Sequence, residues 1–212
     1  MSTTSKSDQG DIRPKRGRPP AAETAAKRRQ IIEAATEAFA QQGFNAASFA
    51  AIAERVGMTL PGLLHYFPRK TDLLLAILED RDRATNELIA DAGPSWAANR
   101  EGLRKLVRRN VQIPHIVQMF STLNSESLGK CHPARDWFEA RSHYVRDGIA
   151  AALRHAQDAG EFRKDFDPDV VATEVAATMD GLQVWWLRMP DRVDLIQQFD
   201  DYLDRLDRSL AV

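Results

Sequence analysis

The chain has 212 residues, 43% hydrophobic and 28% charged, which suits one or two domains with a sizeable core. Its longest apolar runs fall far short of the roughly 18 residues of a membrane span, and no apolar run follows the N-terminal charges as a secretory signal would require. Its one cysteine, Cys131, excludes an internal disulfide framework and points to a reducing cytoplasm. The net charge of −1 hides an asymmetry: residues 1–70 carry 11 Lys and Arg against 6 Asp and Glu, and residues 71–212 carry 18 against 24. A basic head on an acidic body is the pattern of a DNA-binding unit joined to one that does not bind DNA, although a solvated basic tail would give the same sums.

Residues 1–22 are Ser, Thr, Lys, Arg and Pro with almost nothing apolar, and are expected to form a disordered basic arm. Within them Arg16-Gly17-Arg18-Pro19, preceded by Lys15, resembles the core of an AT-hook, which lies along a narrow A·T minor groove. From about Thr24 the periodicity is helical throughout. Ile31, Ala35, Ala38 and Phe39 give the first helix an apolar face, and Gly43 is its expected stop. Ser48 is placed to cap a short second helix with Phe49, Ile52, Ala53 and Val56 inward. Gly57-Met58-Thr59 forms a tight turn, Thr59 caps a third helix, and Pro61 sits in its first turn, where a missing N–H costs little. Pro68 ends it. Further helices are expected at about 71–91, 96–113, 115–129, 134–159, 168–188 and 192–210, about nine in all.

Two short helices joined by a glycine-containing turn have helix-turn-helix spacing. Gln30-Ile31-Ile32-Glu33-Ala34-Ala35, Phe39, Gly43-Phe44, Ser48, Ile52-Ala53, Val56-Gly57-Met58-Thr59, Leu63, His65-Tyr66-Phe67 and Lys70 resemble the N-terminal signature of TetR-type transcriptional regulators. The resemblance implies an all-α fold. A three-helix DNA-binding head at 23–70 would precede a helical ligand-binding and dimerisation body at 71–212. By the same resemblance Ser48, Thr59, Tyr66 and Lys70 match phosphate contacts, and Leu60, Pro61, Gly62 and His65 match positions that face base edges. There are departures. Pro61 stands where glycine is common, and Leu64 stands where a phosphate-binding tyrosine is common. The third helix lacks Arg, Asn and Gln, the usual bidentate base readers. Discrimination is therefore expected to lean on thymine-methyl contacts, duplex deformability and the basic arm.

In the body, Ile196, Phe199, Leu203, Leu206 and Leu210 alternate steps of three and four, and Val171, Val175, Thr178, Leu182, Trp185 and Met189 form a second stripe. Asp180-Gly181-Leu182-Gln183 resembles the dimer-forming penultimate helix of the same family. The implied partners are therefore a second copy through the last two helices, a palindromic double-stranded operator and a small-molecule effector. His115, Met119, Phe120, Trp137, Arg141, Tyr144, Met179, Gln183 and Trp186 are candidate ligand contacts among the middle helices. No catalytic residue, metal site or cofactor is expected: the histidines lack paired ligand spacing, and there is no phosphate-cradling loop or nucleophile elbow. An effector-independent DNA-binding protein and a helical small-molecule binder with an incidental basic N-terminus remain open as alternatives.

Overall fold

A computed structural model describes residues 21–89 and 93–212, so the expected arm lies almost wholly outside the described residues. These residues form nine helices: α1 (Ala21–Ala46), α2 (Phe49–Arg55), α3 (Leu60–Tyr66), α4 (Lys70–Ile89), α5 (Trp96–Asn110), α6 (Pro114–Glu126), α7 (Arg135–Asp158), α8 (Pro168–Arg188) and α9 (Leu195–Leu210). The pairing of strands among them is confined to one isolated antiparallel bridge, Phe162 with Ala211. No described helix is long and apolar enough to cross a membrane.

Local chemistry sets the helix ends. Asp194 accepts from the Gln197 amide at 3.0 Å and starts α9 three residues later than its periodicity implies. Asp72 accepts from the Arg69 amide at 3.0 Å and so draws the start of α4 back to Lys70. Gly43 does break α1, with φ 74° and ψ 169°, but Phe44, Asn45 and Ala46 make one more turn beyond the kink. Gly57 and Gly160 take positive φ at the ends of α2 and α7. At each end the amide after the glycine reaches five residues back, Met58 to Ala53 and Glu161 to Ala156, both at 2.9 Å.

The packing divides the chain differently from its linear order. One core joins α1, α2, α3 and the first half of α4 to α6 and the start of α7, around Phe39, Phe67, Leu74, Met119 and Leu123. A second core joins α5, the rest of α7, α8 and α9, around Leu153, Val175, Phe199 and Leu203. Each fully buried Leu or Phe contributes on the order of 1.5–3 kcal/mol. The first core therefore couples the N-terminal helices firmly to α6.

That junction also has a polar clasp. The Phe44 amide donates to Glu126 Oε2 at 3.2 Å, across the Gly43 kink. The His132 ring meets Phe44 edge-on at 5.5 Å, with Nε2 3.8 Å from Glu126 Oε2. Burial holds the His132 imidazole below its ordinary range, against the opposing pull of Glu126. A further cross-link was not visible in the sequence: Arg100, Arg104 and Arg108 on one face of α5 meet Asp207, Asp200 and Asp204 on α9. Arg104 Nε lies 3.0 Å from Asp200, and Arg100 pairs with Asp207.

Candidate nucleic-acid interface and internal cavity

The second and third helices are short, seven residues each, and depend on capping and bracing. Ser48 Oγ accepts from the Ala51 amide at 3.4 Å, and Thr59 Oγ1 accepts from the Gly62 amide at 3.3 Å. At their C-terminal ends α1 supplies the cations. Lys27 Nζ donates to the Val56 carbonyl at 2.9 Å, and the Arg28 guanidinium lies 4.2 Å over the Phe67 ring, near the Tyr66 carbonyl. Ile52, Ala53, Leu63 and Phe67 face the core, while Thr59, Leu60, Pro61, Leu64 and His65 stand exposed. The outer face of α3 is thus open at Leu60, Pro61, Leu64 and His65, as entry into a groove requires.

The other expected contacts are placed as follows. Gly62 is half-buried, and a Cβ there would lie 3.3 Å from Thr59 Oγ1. Tyr66 is half-buried, its ring edge-on to His65 at 5.8 Å. Lys70 Nζ donates to the Asn45 carbonyl at 3.2 Å and lies 4.7 Å over the Phe44 ring, and burial lowers its pKa. Ser48 is exposed at the start of α2. Lys15, Arg16 and Arg18 lie outside the described residues. Replacing Thr59 with alanine is expected to cost roughly 1 kcal/mol of stability, since the Gly62 amide loses its acceptor. A Thr59→Ser control should keep most of it, and urea denaturation distinguishes the two.

A cavity of about 330 Å³ lies between α4, α5, α6, α7 and α8. Phe120, Arg141, Met179 and Gln183 from the candidate set line it, together with Arg81, Asn110, Phe138 and Asp180. Arg141 Nε donates to Asp82 Oδ1 at 2.8 Å, and Asn110 Nδ2 reaches Gln183 Oε1 at 3.5 Å. Arg81 is different. Its guanidinium lies 3.7 Å over the Phe120 ring, and its buried Nη1 has no hydrogen-bond partner among the described residues. Burial, reinforced by the charge of Arg141, pushes its pKa down to about 9. The sequence does carry a sign of Arg81: Leu74, Leu78, Arg81 and Thr85 follow the buried face of α4 in steps of four, three and four.

A second, larger cavity of about 730 Å³ shares Arg141 and Met179 and adds Tyr144, Thr85 and Asn99. The remaining candidates lie elsewhere. Met119 is fully buried in the first core, and Trp137 packs edge-on against Phe138 at 5.0 Å. His115 is exposed at the start of α6, and Trp186 lines a shallow depression beside Pro190 and Ile196. No group of three or more metal-binding side chains occurs among the described residues.

The two apolar stripes of the last helices divide. Val171, Val175, Phe199, Leu203 and Leu210 are buried in the chain's own core, with Ile196 and Leu206 packed against it. Thr178, Leu182 and Tyr202 line an open groove between α8 and α9, and Trp185 is 58% exposed.

Residues 31–77 match the pattern of bacterial regulatory proteins of the tetR family, and residues 133–208 match that of the BetI-type transcriptional repressor C-terminal region. The chain is 28% identical over 184 residues to the HTH-type transcriptional regulator TtgR of Pseudomonas putida, covering 84% of this chain and 88% of that one. The solved structure of SmeT, repressor of the Stenotrophomonas maltophilia multidrug efflux pump SmeDEF, superposes with a TM-score of 0.72 at 20% identity, covering 90% of this chain and 93% of SmeT. AibR in complex with isovaleryl coenzyme A and operator DNA superposes at 0.65 and 22% identity, covering 84% and 95%. At such identities the two superpositions speak to the fold alone.

Proposed function

Since this chain belongs to the TetR family of bacterial transcriptional regulators, a non-enzymatic family, we propose that it is a repressor that holds a palindromic operator and releases it on binding a small molecule. The observation that carries this is the capped α2–α3 unit, whose outer face, from Thr59 to His65, is left open while its inner face is sealed against α1. Ser48, Thr59, Tyr66 and Lys70 are assigned to phosphates, and Leu60, Pro61, Gly62 and His65 to base edges. To reach a phosphate, Lys70 must leave the Asn45 carbonyl. Phe120, Arg141, Met179 and Gln183 are assigned to the effector, with Tyr144 at the neighbouring cavity.

The active species is taken to be a homodimer joined through α8 and α9. The exposed Trp185 and the mixed groove lined by Leu182, Tyr202, Gln198 and Arg205 offer surface for it. A two-fold dimer would set its two copies of α3 about 34–36 Å apart, one DNA turn. SmeT is known as a triclosan complex, and AibR as a complex with isovaleryl coenzyme A and operator DNA; both lend weight to an effector in the cavity.

The reading is tested by selecting genomic fragments with the purified full chain, footprinting the bound fragment and adding metabolites. Protection of a palindrome, lost on adding one metabolite class, supports it. No protected site, or a site indifferent to every metabolite, overturns it in whole or in its effector part. The arm has its own test. A chain beginning at Ala21 should bind more weakly, and the slope of log affinity against log salt should fall by up to about 2.7, ~0.9 for each phosphate given up by Lys15, Arg16 and Arg18. An unchanged slope would mean that the arm takes no part.

A further inference from the structure

A buried, unbonded guanidinium nitrogen is the feature of the cavity that apolar packing leaves unexplained. Three arginines line it, Arg81, Arg141 and Arg146. Arg141 is already paired with Asp82, and Arg146 with Asp147 at 2.7 Å. Arg81 forms no ion pair within 4 Å among the described residues: its guanidinium lies over the Phe120 ring, its Nη1 is buried and unbonded, and Asp82 and Asp180 act on it only through space. Leaving a buried charged donor unsatisfied costs more than leaving a neutral one so. Even a buried ion pair can often be replaced by apolar side chains of similar volume at no loss of stability, and a guanidinium with no paired carboxylate has less to lose. Packing therefore gives no reason for Arg81 to be an arginine, and a ligand does.

We propose that the effector of this protein carries a single carboxylate, which docks on Arg81 beside Arg141, and an apolar body that lies against Phe120, Phe138 and Met179. This rests on the effector-released regulator proposed above and narrows its ligand. A guanidinium fork with a free edge matches the two oxygens of a carboxylate. A dianionic phosphate is disfavoured, because one free cation faces it while Asp180 stands on the same wall. Asp180 is solvent-exposed on that wall, so water competes with Arg81 for its carboxylate. The cavity, at about 330 Å³, lies at the small end of ligand sites and suits a compact acid, with the adjoining cavity beyond Arg141 open to a longer tail.

The experiment uses the full chain and two matched probe series: phenylbutyrate with its amide and amine counterparts, and octanoate with octanamide and octylamine. Binding is followed by calorimetry and tryptophan fluorescence. At least one carboxylate should bind about tenfold or more tighter than its neutral and cationic counterparts. In Arg81→Met that preference should shrink below about threefold, with Arg81→Lys between. The ligand-free Arg81→Met protein should be at least as thermally stable as the wild type, a readout independent of any probe. Equal binding of amide and acid, tightest binding by an amine, no binding by either carboxylate, or marked destabilisation by Arg81→Met each overturns the proposal. Operator release separates the two levels. If carboxylates bind through Arg81 but leave DNA bound, the anion site stands and effector control through it fails. If only neutral or cationic compounds release DNA, control stands and the anion site fails.

Discussion

Replacing Phe67 with alanine is expected to remove roughly 3–5 kcal/mol of stability and, with it, sequence-specific DNA binding. Phe67 is 1% exposed and closes α3, its amide donating to the Leu63 carbonyl at 3.0 Å. Its ring fills the space between α3 and α1 and carries the Arg28 guanidinium on one face. Alanine would leave a void beneath a two-turn helix and strip Arg28 of a contact worth about 0.5–1 kcal/mol. Because the same core reaches through α4 and α6 to Leu123 and Phe138, the loss should appear in one cooperative transition, not in separate melting of the head. Phe67→Leu, which keeps most of the volume, should cost far less. Urea denaturation by far-UV circular dichroism gives the stabilities, and band shift on the selected operator gives the binding. A stable Phe67→Ala protein that still grips its operator would show that α3 is seated by something else.

The second large effect is expected at Gly43. A side chain there is forced into φ 74°, ψ 169°, a region essentially restricted to glycine and costing about 1–3 kcal/mol. A Cβ would also stand 2.5 Å from Glu126 Oε1. That carboxylate must then move, and the Phe44 amide loses its charged acceptor, worth roughly 1.5–3 kcal/mol before allowance for the exposure of Glu126. Gly43→Ala should therefore destabilise by on the order of 3 kcal/mol. Adding Glu126→Ala should recover the clash and leave the backbone strain, so the double mutant should lie less than additively below the wild type. Full additivity would mean that a side chain at position 43 does not disturb the clasp.

Much of the head is legible in the sequence because its determinants are local. Ser48, Gly57 and Thr59 each act on amides within a few residues, so spacing alone locates α2 and α3. The helix bounds of the body follow less closely, since α5 stops at Asn110, earlier than its apolar periodicity suggests. The two stripes of α8 and α9 show why periodicity underdetermines partners. The same spacing serves a core within one chain, as for Val175 and Phe199, or a surface for a second copy, as for the exposed Trp185. Long-range polar pairs are hidden altogether. Nothing in the local pattern couples Arg104 to Asp200, Phe44 to Glu126, or Lys27 to the Val56 carbonyl, because each depends on which helix lies alongside. Arg81 lies between the two cases: its register on the buried face of α4 can be found by counting, but the unbonded state of its Nη1 emerges only in three dimensions.

A seven-residue helix lies well below the length at which a peptide holds helical form unaided in water, about 12–15 residues. The shape of α3 is therefore on loan from the scaffold under it. A controlling signal need not haul this short rod bodily out of the duplex. Slackening its anchorage by a kcal/mol or two would be enough to blur the outline that the operator recognises.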